Sequence, residues 1–359
     1  MSAPTSACYD GAVKVVLTGA TGFIGGAIAR RLLDRGDELT VLARDPSAAA
    51  SLAQRGANVA TGSLLDPNAI ARAARGADVL VHAAGIPSPR ASARALRWTL
   101  VAGTENVLSA ARHAGLERVV TISSADVTLA NVDRVHWDEK RDLAQLPIGE
   151  RARALRLAEE IALSTSDAEL AVTALRPGWV WGPGDLSTLP ELVREARSGG
   201  IRMFGDGRNL VATTYVDTLA DAVIAAARAP GAPGQAYYVG DPEFLELREF
   251  LQQLSRTLTL PAPRPGPPFA LVYPLAVLRA GRGGATLPEE ILRRARSTLF
   301  DVQKAIAELD FRATISVDEG MKRLSSWVNE VGGLDAVLAK ARPLPDEATL
   351  EREASAAGA

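Results

Sequence analysis

The chain has 359 residues, an apolar fraction of 47% and a formal net charge of −2. This apolar fraction can bury a large core, and the length allows one large domain or two ordinary ones. Charges of both signs are interspersed, which excludes a basic face for nucleic acid and makes a small-molecule ligand the expected partner.

The N-terminal segment, residues 1–12, is expected to be a flexible tail that holds the only cysteine, Cys8. A single cysteine excludes an internal disulfide and suits a reducing compartment. The segment lacks both the basic start and the apolar run of a signal peptide. We therefore expect a cytoplasmic protein without a transmembrane segment.

The first half of the chain alternates Val-rich runs with helical segments. Strands are predicted at residues 13–18, 38–43, 58–61, 78–82, 118–122 and 171–175. Helices are predicted at 22–35, 46–55, about 67–75, before Ala114 and at about 149–164. The strands do not alternate apolar with polar residues, which is typical of strands covered on both faces. This alternation of strands and helices predicts an α/β fold with a Rossmann-type, doubly wound parallel sheet.

The composition changes after Pro177, where glycine and proline cluster repeatedly. We assign residues 13–177, with parts of 210–240, to the dinucleotide-binding domain and 178–342 to a smaller substrate lobe. Residues 343–359 lack an apolar stripe and are expected to be disordered. The longest apolar run, 268–278, is interrupted by Pro274 and is too short to span a membrane. We favour a buried helix there; a cover over a lipophilic pocket or contact with a membrane surface are the alternatives.

A glycine-rich loop joins the first predicted strand to the first helix. Its sequence is Thr18-Gly19-Ala20-Thr21-Gly22-Phe23-Ile24-Gly25. Gly19 permits the tight turn, Gly22 lets a pyrophosphate approach the backbone, and Gly25 lets the helix pack on the strand. The helix then presents its N-terminal amides to the phosphates. Thr21, Phe23 and Ile24 complete the predicted binding loop.

The ends of the next strands predict the rest of the dinucleotide site. Arg44 favours a 2′-phosphate and hence NADP(H), whereas Asp45, if it were the ribose ligand, would select NAD(H). Both residues also suit a helix cap, as does Asp66, which with Leu65 is expected near the adenine. Three small residues after the fourth strand would leave room for the adenine ribose: Ala83, Ala84 and Gly85. No metal site is predicted.

Seven motifs in order resemble the extended short-chain dehydrogenase/reductase family, in its 3β-hydroxysteroid dehydrogenase and dihydroflavonol-reductase-like branch. They are residues 18–25, 82–85, 103–108, 121–124, 176–185, 205–209 and 214–217. The resemblance covers roughly residues 13–330. It implies a nicotinamide cofactor, with Pro177 and Val180 in the loop that closes over the nicotinamide. It also implies a Ser/Tyr/Lys catalytic set, and it allows a homodimer.

The serine of that set matches Ser124, with Ser123 as the alternative. The tyrosine and lysine do not match: their register falls on Arg151 and Leu155, and no tyrosine lies between Tyr9 and Tyr215. Arginine does not exchange protons at neutral pH, so Arg151 is expected either to stabilise an anion or to face solvent.

Two other regions offer candidate groups. His136 or Asp138, in a predicted loop over the substrate, is a candidate proton donor, and a solvated polar loop is the alternative. Tyr215 is expected to pack the two lobes together. Trp179 and Trp181 either wall an aromatic substrate or join the core.

Three functional hypotheses follow. The favoured one is an NAD(P)H-dependent ketone reductase or alcohol dehydrogenase for a lipophilic, aromatic or polycyclic molecule of specialised metabolism. The second is a non-redox cyclase, dehydratase or isomerase that uses the cofactor as a scaffold. The third is a catalytically silent dinucleotide-binding regulator.

Overall fold

A computed structural model describes residues 11–141, 145–229, 232–280, 286–343 and 347–357. Cys8 and most of the predicted N-terminal tail lie outside the described residues.

The strands of the described chain are as follows: β1 (Lys14–Thr18), β2 (Glu38–Ala43), β3 (Asn58–Thr61), β4 (Val79–His82), β5 (Arg118–Ile122), β6 (Arg134–Trp137), β7 (Ala171–Pro177), β8 (Trp179–Trp181), β9 (Leu210–Val211), β10 (Thr213–Tyr215), β11 (Gln235–Val239), β12 (Leu245–Glu246) and β13 (Thr298–Phe300).

The helices are α1 (Phe23–Asp34), α2 (Ala50–Gln54), α3 (Pro67–Ala74), α4 (Ala93–Leu96), α5 (Gly103–His113), α6 (Glu150–Ser164), α7 (Thr188–Arg197), α8 (Val216–Arg228), α9 (Leu247–Thr257), α10 (Phe269–Arg279), α11 (Pro288–Ala295), α12 (Gln303–Leu309), α13 (Val317–Glu330), α14 (Leu334–Ala339) and α15 (Glu347–Ala357). Short 3-10 helices lie at Pro46–Ala49 and Ala125–Thr128, and a π-helical stretch lies at Arg97–Ala102.

Seven strands form one parallel sheet in the order β11-β7-β5-β4-β1-β2-β3. Helices α1 and α8 pack together on one face, and α3, α5 and α6 cover the other. The four residues of β4 are all buried, because helices exclude water from both faces of the sheet. The predicted Rossmann-type doubly wound sheet is confirmed.

A second apolar core lies outside this sheet. It joins α7, α9 and α13 around Trp181 and Tyr215, and both of these side chains are buried. The start of α7 is held by Asp185, whose carboxylate accepts hydrogen bonds from the amides of Ser187, Thr188 and Leu189. Tyr215 lies in this second core, and its expected role in packing the two lobes together stays a prediction.

Two predictions about helices are wrong. The apolar run 268–278 does form a helix, but Ala276 is the buried residue of α10, and Leu271, Leu275 and Leu278 are exposed. Apolar composition predicts the helix without specifying which neighbours cover it. Residues 347–357, which we expected to be disordered, form α15, because Ala and Glu favour helix and Leu350 is buried against the domain.

Candidate functional site

The phosphate loop has the backbone geometry that its glycines predict. Gly19 has a φ of +78°, and the amide of Gly22 donates to the carbonyl of Gly19 at 2.8 Å. A Cβ on Gly19 would meet the backbone of Ala84 at 2.6 Å, and one on Gly25 would overlap the Gly19 carbonyl. The loop is therefore a close-packed cradle open at the start of α1, which fits a dinucleotide pyrophosphate.

The residues predicted to bind adenosine lie at the ends of β2 and β3. Asp45 accepts from the Ser47 amide at 2.9 Å, and Asp66 accepts from the Ala69 amide at 3.0 Å. Both carboxylates are thus helix caps, which was one of the two alternatives for each residue. Arg44 is exposed and lies 3.5 Å from Glu353 of α15. The contact of Asp66 and the buried Leu65 with adenine stays a prediction.

The end of β4 is shaped by a buried histidine. His82 lies between Thr18 and Thr104, with Nδ1 2.7 Å from one hydroxyl and Nε2 3.2 Å from the other. Burial lowers the pKa of His82 to about 4, so the imidazole is neutral. It joins β1, β4 and α5 beneath Ala83, Ala84 and Gly85, whose role at the ribose stays a prediction.

The two serines after β5 have different partners. Ser123 donates to Glu159 at 2.5 Å, and Glu159 forms a buried, bidentate ion pair with Arg176. Ser124 instead caps the following 3-10 helix, where its Oγ accepts from the Asp126 amide at 3.2 Å. The Ser124 hydroxyl hydrogen is therefore available for a ligand, whereas that of Ser123 is engaged.

Arg151 lies in the first turn of α6 and does not face solvent freely. Its Nε donates to the carbonyl of Ile86 at 2.9 Å, and its Nη1 donates to Asp126 at 3.0 Å. A second guanidinium, that of Arg293 on α11, lies 2.9 Å from the same carboxylate. The solvent-facing alternative is thus wrong for Arg151, because the Ile86 carbonyl and the Asp126 carboxylate hold its side chain.

Burial and the neighbouring charges shift the pKa values of Arg151 and Asp126. Burial, reinforced by Arg293, lowers the pKa of Arg151 to about 10, which still leaves it protonated at neutral pH. Burial opposes ionisation of Asp126, but Arg293 and Arg151 outweigh it and lower the pKa of this carboxyl. We call Asp126, Arg151 and Arg293 the charge cluster.

Glu289, on α11 one turn before Arg293, is a residue that sequence reasoning missed. It is 6% exposed, and a Cβ on Gly149, the residue before α6, would overlap its carboxyl group. Among the described residues its carboxyl has no hydrogen-bond or ion-pair partner. Burial raises the pKa of Glu289 to about 7. No motif marks this position; a carboxylate in an otherwise amphipathic helix gives no signal of its own.

The register of the absent lysine falls on an apolar surface. Leu155 is buried beside Ile86, Leu96 and Leu100. Leu155 offers no hydrogen bond to a nicotinamide ribose.

The other candidate residues are more remote or purely structural. His136 lies in β6, which pairs with β13, and it is exposed with a φ of 55°. The predicted loop is thus a strand, and the role of His136 as a proton donor stays a prediction. Trp179 and Trp181 pack edge-on against Phe250. Pro177 ends β7, and Val180 lies in β8 opposite β10.

The C-terminal segment reaches the same strand ends. Arg342 donates to the carbonyl of Thr21 in the phosphate loop. In α15, Glu353 accepts from the Ser63 hydroxyl at 2.6 Å, and Glu351 lies 2.6 Å from Arg94. Leu350 is 5% exposed and packs in the cluster that contains Leu155.

Comparison with known proteins decides the family. Residues 15–240 match the NAD dependent epimerase/dehydratase family. The chain belongs to this family. The 2-alkyl-3-oxoalkanoate reductase of Stenotrophomonas maltophilia is 32% identical over an alignment of 331 residues, with 88% of this chain and 99% of the relative covered. The predicted family and the oxidoreductase class are thereby confirmed.

Two further proteins extend the comparison. A Stigmatella aurantiaca relative is 29% identical, with 90% of this chain and 96% of the relative covered: 4-hydroxy-2-methyl-3-oxo-4-farnesyl-3,4-dihydroquinoline-1-oxide ketoreductase. The structure of MoeE5 in complex with UDP-glucuronic acid and NAD superposes with a TM-score of 0.70 at 25% identity. It covers 88% of this chain and 99% of MoeE5. Family membership supports an NAD-type cofactor; selectivity for NADP(H) stays a prediction.

No helix in the described ranges is long and apolar enough to cross a membrane. The predicted homodimer, the cytoplasmic location and contact with a membrane surface stay predictions.

Proposed function

We propose that the protein is an NAD(P)H-dependent ketone reductase, and that its substrate is a lipophilic acyl compound with a 3-oxo group. The two curated relatives support this class, since by their names one reduces an alkyl 3-oxo acid and the other a farnesylated oxo compound. In this chain Arg151 and Ser124 would polarise the ketone in place of the family's tyrosine.

The observation that carries the proposal is the position of Arg151. Arg151 lies at the tyrosine register, where Asp126 and the Ile86 carbonyl align its guanidinium. Asp126 is two residues along the chain from Ser124, whose hydroxyl is available. A fixed guanidinium and a hydroxyl donor are suited to an oxygen that becomes negative during reduction. When bound, the cofactor supplies the hydride for the carbonyl carbon.

The charge cluster also favours an anionic ligand. Arg151 and Arg293 carry two positive charges against one negative charge on Asp126, which leaves a net charge of +1 while Glu289 is protonated. An uncompensated positive charge in a partly buried site stabilises a developing alkoxide or a substrate carboxylate.

The adjacent helix supports a lipophilic substrate. Helix α10 packs against α11, which carries Glu289 and Arg293, and it leaves Leu271, Leu275 and Leu278 exposed. We propose that an alkyl chain passes along this face on its way to the charge cluster.

Arg44 supports NADP(H) as the preferred cofactor. The residue lies at the end of β2 with its side chain exposed, where a guanidinium suits a 2′-phosphate. Separate titrations with NADPH and NADH test this preference, which predicts tighter binding of NADPH.

The experiment that tests the function uses the purified chain with NADPH or NADH and a series of 2-alkyl-3-oxoalkanoates. We expect oxidation of the cofactor in one-to-one proportion to the 3-hydroxy product. Turnover of a substrate with the nicotinamide unchanged would instead support the non-redox alternative. Cofactor binding without any turnover would support the regulator.

Variants of Arg151 test the site itself. Arg151→Met should lower kcat/KM roughly 10²-fold, the scale seen when one oxyanion-stabilising donor is removed. Arg151→Lys, which keeps the charge, should retain part of the activity. Arg153→Met is the matched control, because Arg153 bonds to Glu150 and Pro147 at the surface of the same helix. Equal activities of the two methionine variants would contradict the proposed role.

A further inference from the structure

The proposed reduction needs a proton for the alkoxide, and neither arginine in the charge cluster is suited to deliver one. We propose that Glu289 is the proton donor in this chain, a role that rests on the proposed function. A bound NAD(P)H would be the hydride donor; as hydride adds to the carbonyl carbon the π pair moves to oxygen, and the alkoxide takes the proton of the Glu289 carboxyl group. The resulting carboxylate is then reprotonated from solvent.

Geometry places Glu289 where a donor is needed. Its carboxyl lies against Gly149, two residues before Arg151, so it is at the turn of α6 where the family's tyrosine would start. Arg293, four residues later on the same helix, binds the carboxylate that also binds Arg151. Glu289 thus borders the proposed oxyanion site on one side.

The absence of partners distinguishes Glu289 from a structural carboxylate. A buried carboxyl group is ordinarily paired, because unpaired burial is unfavourable. Here two guanidiniums lie nearby, but both are directed to Asp126, and the described residues leave the Glu289 carboxyl unpaired at 6% exposure. A neutral, unpaired acid has its proton available for a ligand.

The charges that face Glu289 define its pH response. They are Arg293 and Glu290 on its own helix, Asp126 after β5, and Arg151 on α6. Burial outweighs the two cations and raises the pKa of Glu289 to about 7. The donor form therefore predominates below about pH 7 and is lost above it, so reduction should slow as the pH rises through that value.

The test combines a turnover measurement with a titration that needs no substrate. Infrared difference spectra of the wild type should show a carboxyl group that titrates near pH 7 and is missing in Glu289→Gln. With NADPH and a 2-alkyl-3-oxoalkanoate, Glu289→Gln should lower kcat roughly 10²-fold or more and remove the fall above pH 7. The dissociation constant of the cofactor should not change.

Glu330→Gln is the matched control, since Glu330 is exposed at the end of α13, is not among the charges that face Glu289, and should keep the wild-type pH profile. A Glu289→Gln variant with wild-type kcat, or spectra without the titrating carboxyl, would overturn the role. A wild type that reduces no ketone would contradict the proposed function itself, whatever the spectra show, and this role with it.

A separate observation concerns α15, which contacts the residues that the dinucleotide needs. We infer that α15 occupies the dinucleotide cleft and must be displaced when the cofactor binds. Glu353 bonds to Ser63 after β3 and lies near Arg44 at the end of β2, where a ribose or its 2′-phosphate is expected. The Glu353 carboxylate therefore lies where the ribose or its 2′-phosphate would lie.

The apolar contact of α15 leads to the same conclusion. Leu350 fills the cluster of Leu155, Leu100 and Ile86, at the register of the family's ribose-binding lysine. Arg342, before this helix, binds the Thr21 carbonyl of the phosphate loop. The contacts of Glu353 and Leu350, at two parts of the predicted cofactor path, make α15 a competitor for the site rather than a neighbour of it.

Cofactor affinity measured without substrate tests this inference. A variant that ends at Pro343 should bind NADPH and NADH about tenfold more tightly, the gain expected if a closed form outnumbers an open one by about ten to one. Glu353→Gln should bring part of the gain. Glu347→Gln, at an exposed residue in the first turn of α15, is the matched control and should bind as the wild type does.

Hydrogen exchange supplies a second measurement. Saturating NADPH should speed the exchange of α15 amides in the full chain, because displacement exposes them. Unchanged affinity in the truncated variant would contradict the inference, as would weaker affinity or slower exchange, which would make α15 a cover over bound cofactor. A full chain and truncated variant that both bind no dinucleotide would overturn it as well.

Discussion

At the scale of single residues, Glu289 is expected to reduce the stability of the fold at neutral pH. Burial raises its pKa from 4.5 to about 7. As the pH rises from 4.5 to 7 the unfolded chain loses this proton and the folded chain keeps it, so stability falls across that window. Glu289→Gln should therefore raise the free energy of unfolding by about 1–3 kcal/mol at pH 8 and leave it nearly unchanged at pH 4.

Urea unfolding of the wild type and the variant at both pH values measures this effect. Glu330→Gln again serves as the control, because Glu330 is exposed and its replacement should change the stability little at either pH. A Glu289→Gln variant whose stability relative to wild type is the same at pH 4 and pH 8 would show that the carboxyl group is not buried in its neutral form.

The sequence predicted the residues of the site unequally. The phosphate loop could be predicted because its glycines answer a local backbone requirement, and the register of Arg151 followed from motifs on the same strand and helix. Asp126 and Glu289 could not, because each matters only through contacts made by the tertiary fold. Glu289 lies far along the chain from Arg151 and reaches it through the packing of α11 on the start of α6.

At the scale of elements, α10 presents an exposed apolar face. Leu271, Leu275 and Leu278 share one side of the helix and are 68%, 44% and 68% exposed. If this face guides an alkyl chain, the paired substitutions Leu271→Ser and Leu278→Ser should raise KM several-fold for long-chain 3-oxo acids. For short-chain substrates KM should not change, since these do not reach the face.

Steady-state kinetics across a series of chain lengths checks this expectation. Leu157→Ser, at an exposed leucine of α6, is the control and should leave every KM unchanged. A KM that rises equally for short and long chains would indicate a general disturbance of α11 instead of a contact with the alkyl chain.

The elements themselves were predicted with unequal success for a physical reason. Strands β2, β3 and β5 have the predicted bounds, because each follows a glycine turn and ends at a glycine or at polar residues, which leaves little choice of bounds. The helix expected at 46–55 is divided into a 3-10 turn and α2. Exposure of α10 and the docking of α15 depend on neighbours distant in the chain, which periodicity does not encode.

At the scale of the whole molecule, one buried carboxylate joins the two cores. Asp241 follows β11 of the parallel sheet, and its two oxygens accept from the Trp181 indole at 2.8 Å and the Tyr215 amide at 2.6 Å. Trp181 and Tyr215 belong to the second core. Both hydrogen bonds therefore connect the second core to the end of β11.

Replacing this carboxylate should loosen the junction of the two cores. In Asp241→Asn one acceptor becomes a donor that faces another donor, so one hydrogen bond is lost and an N–H group is left buried. The free energy of unfolding should fall by about 1–3 kcal/mol, the effect of removing one partner of a buried hydrogen bond. Asp206→Asn, at an exposed residue, should change it by no more than about 0.5 kcal/mol. A stability of Asp241→Asn equal to that control would mean that the Asp241 hydrogen bonds do not stabilise the junction of the two cores.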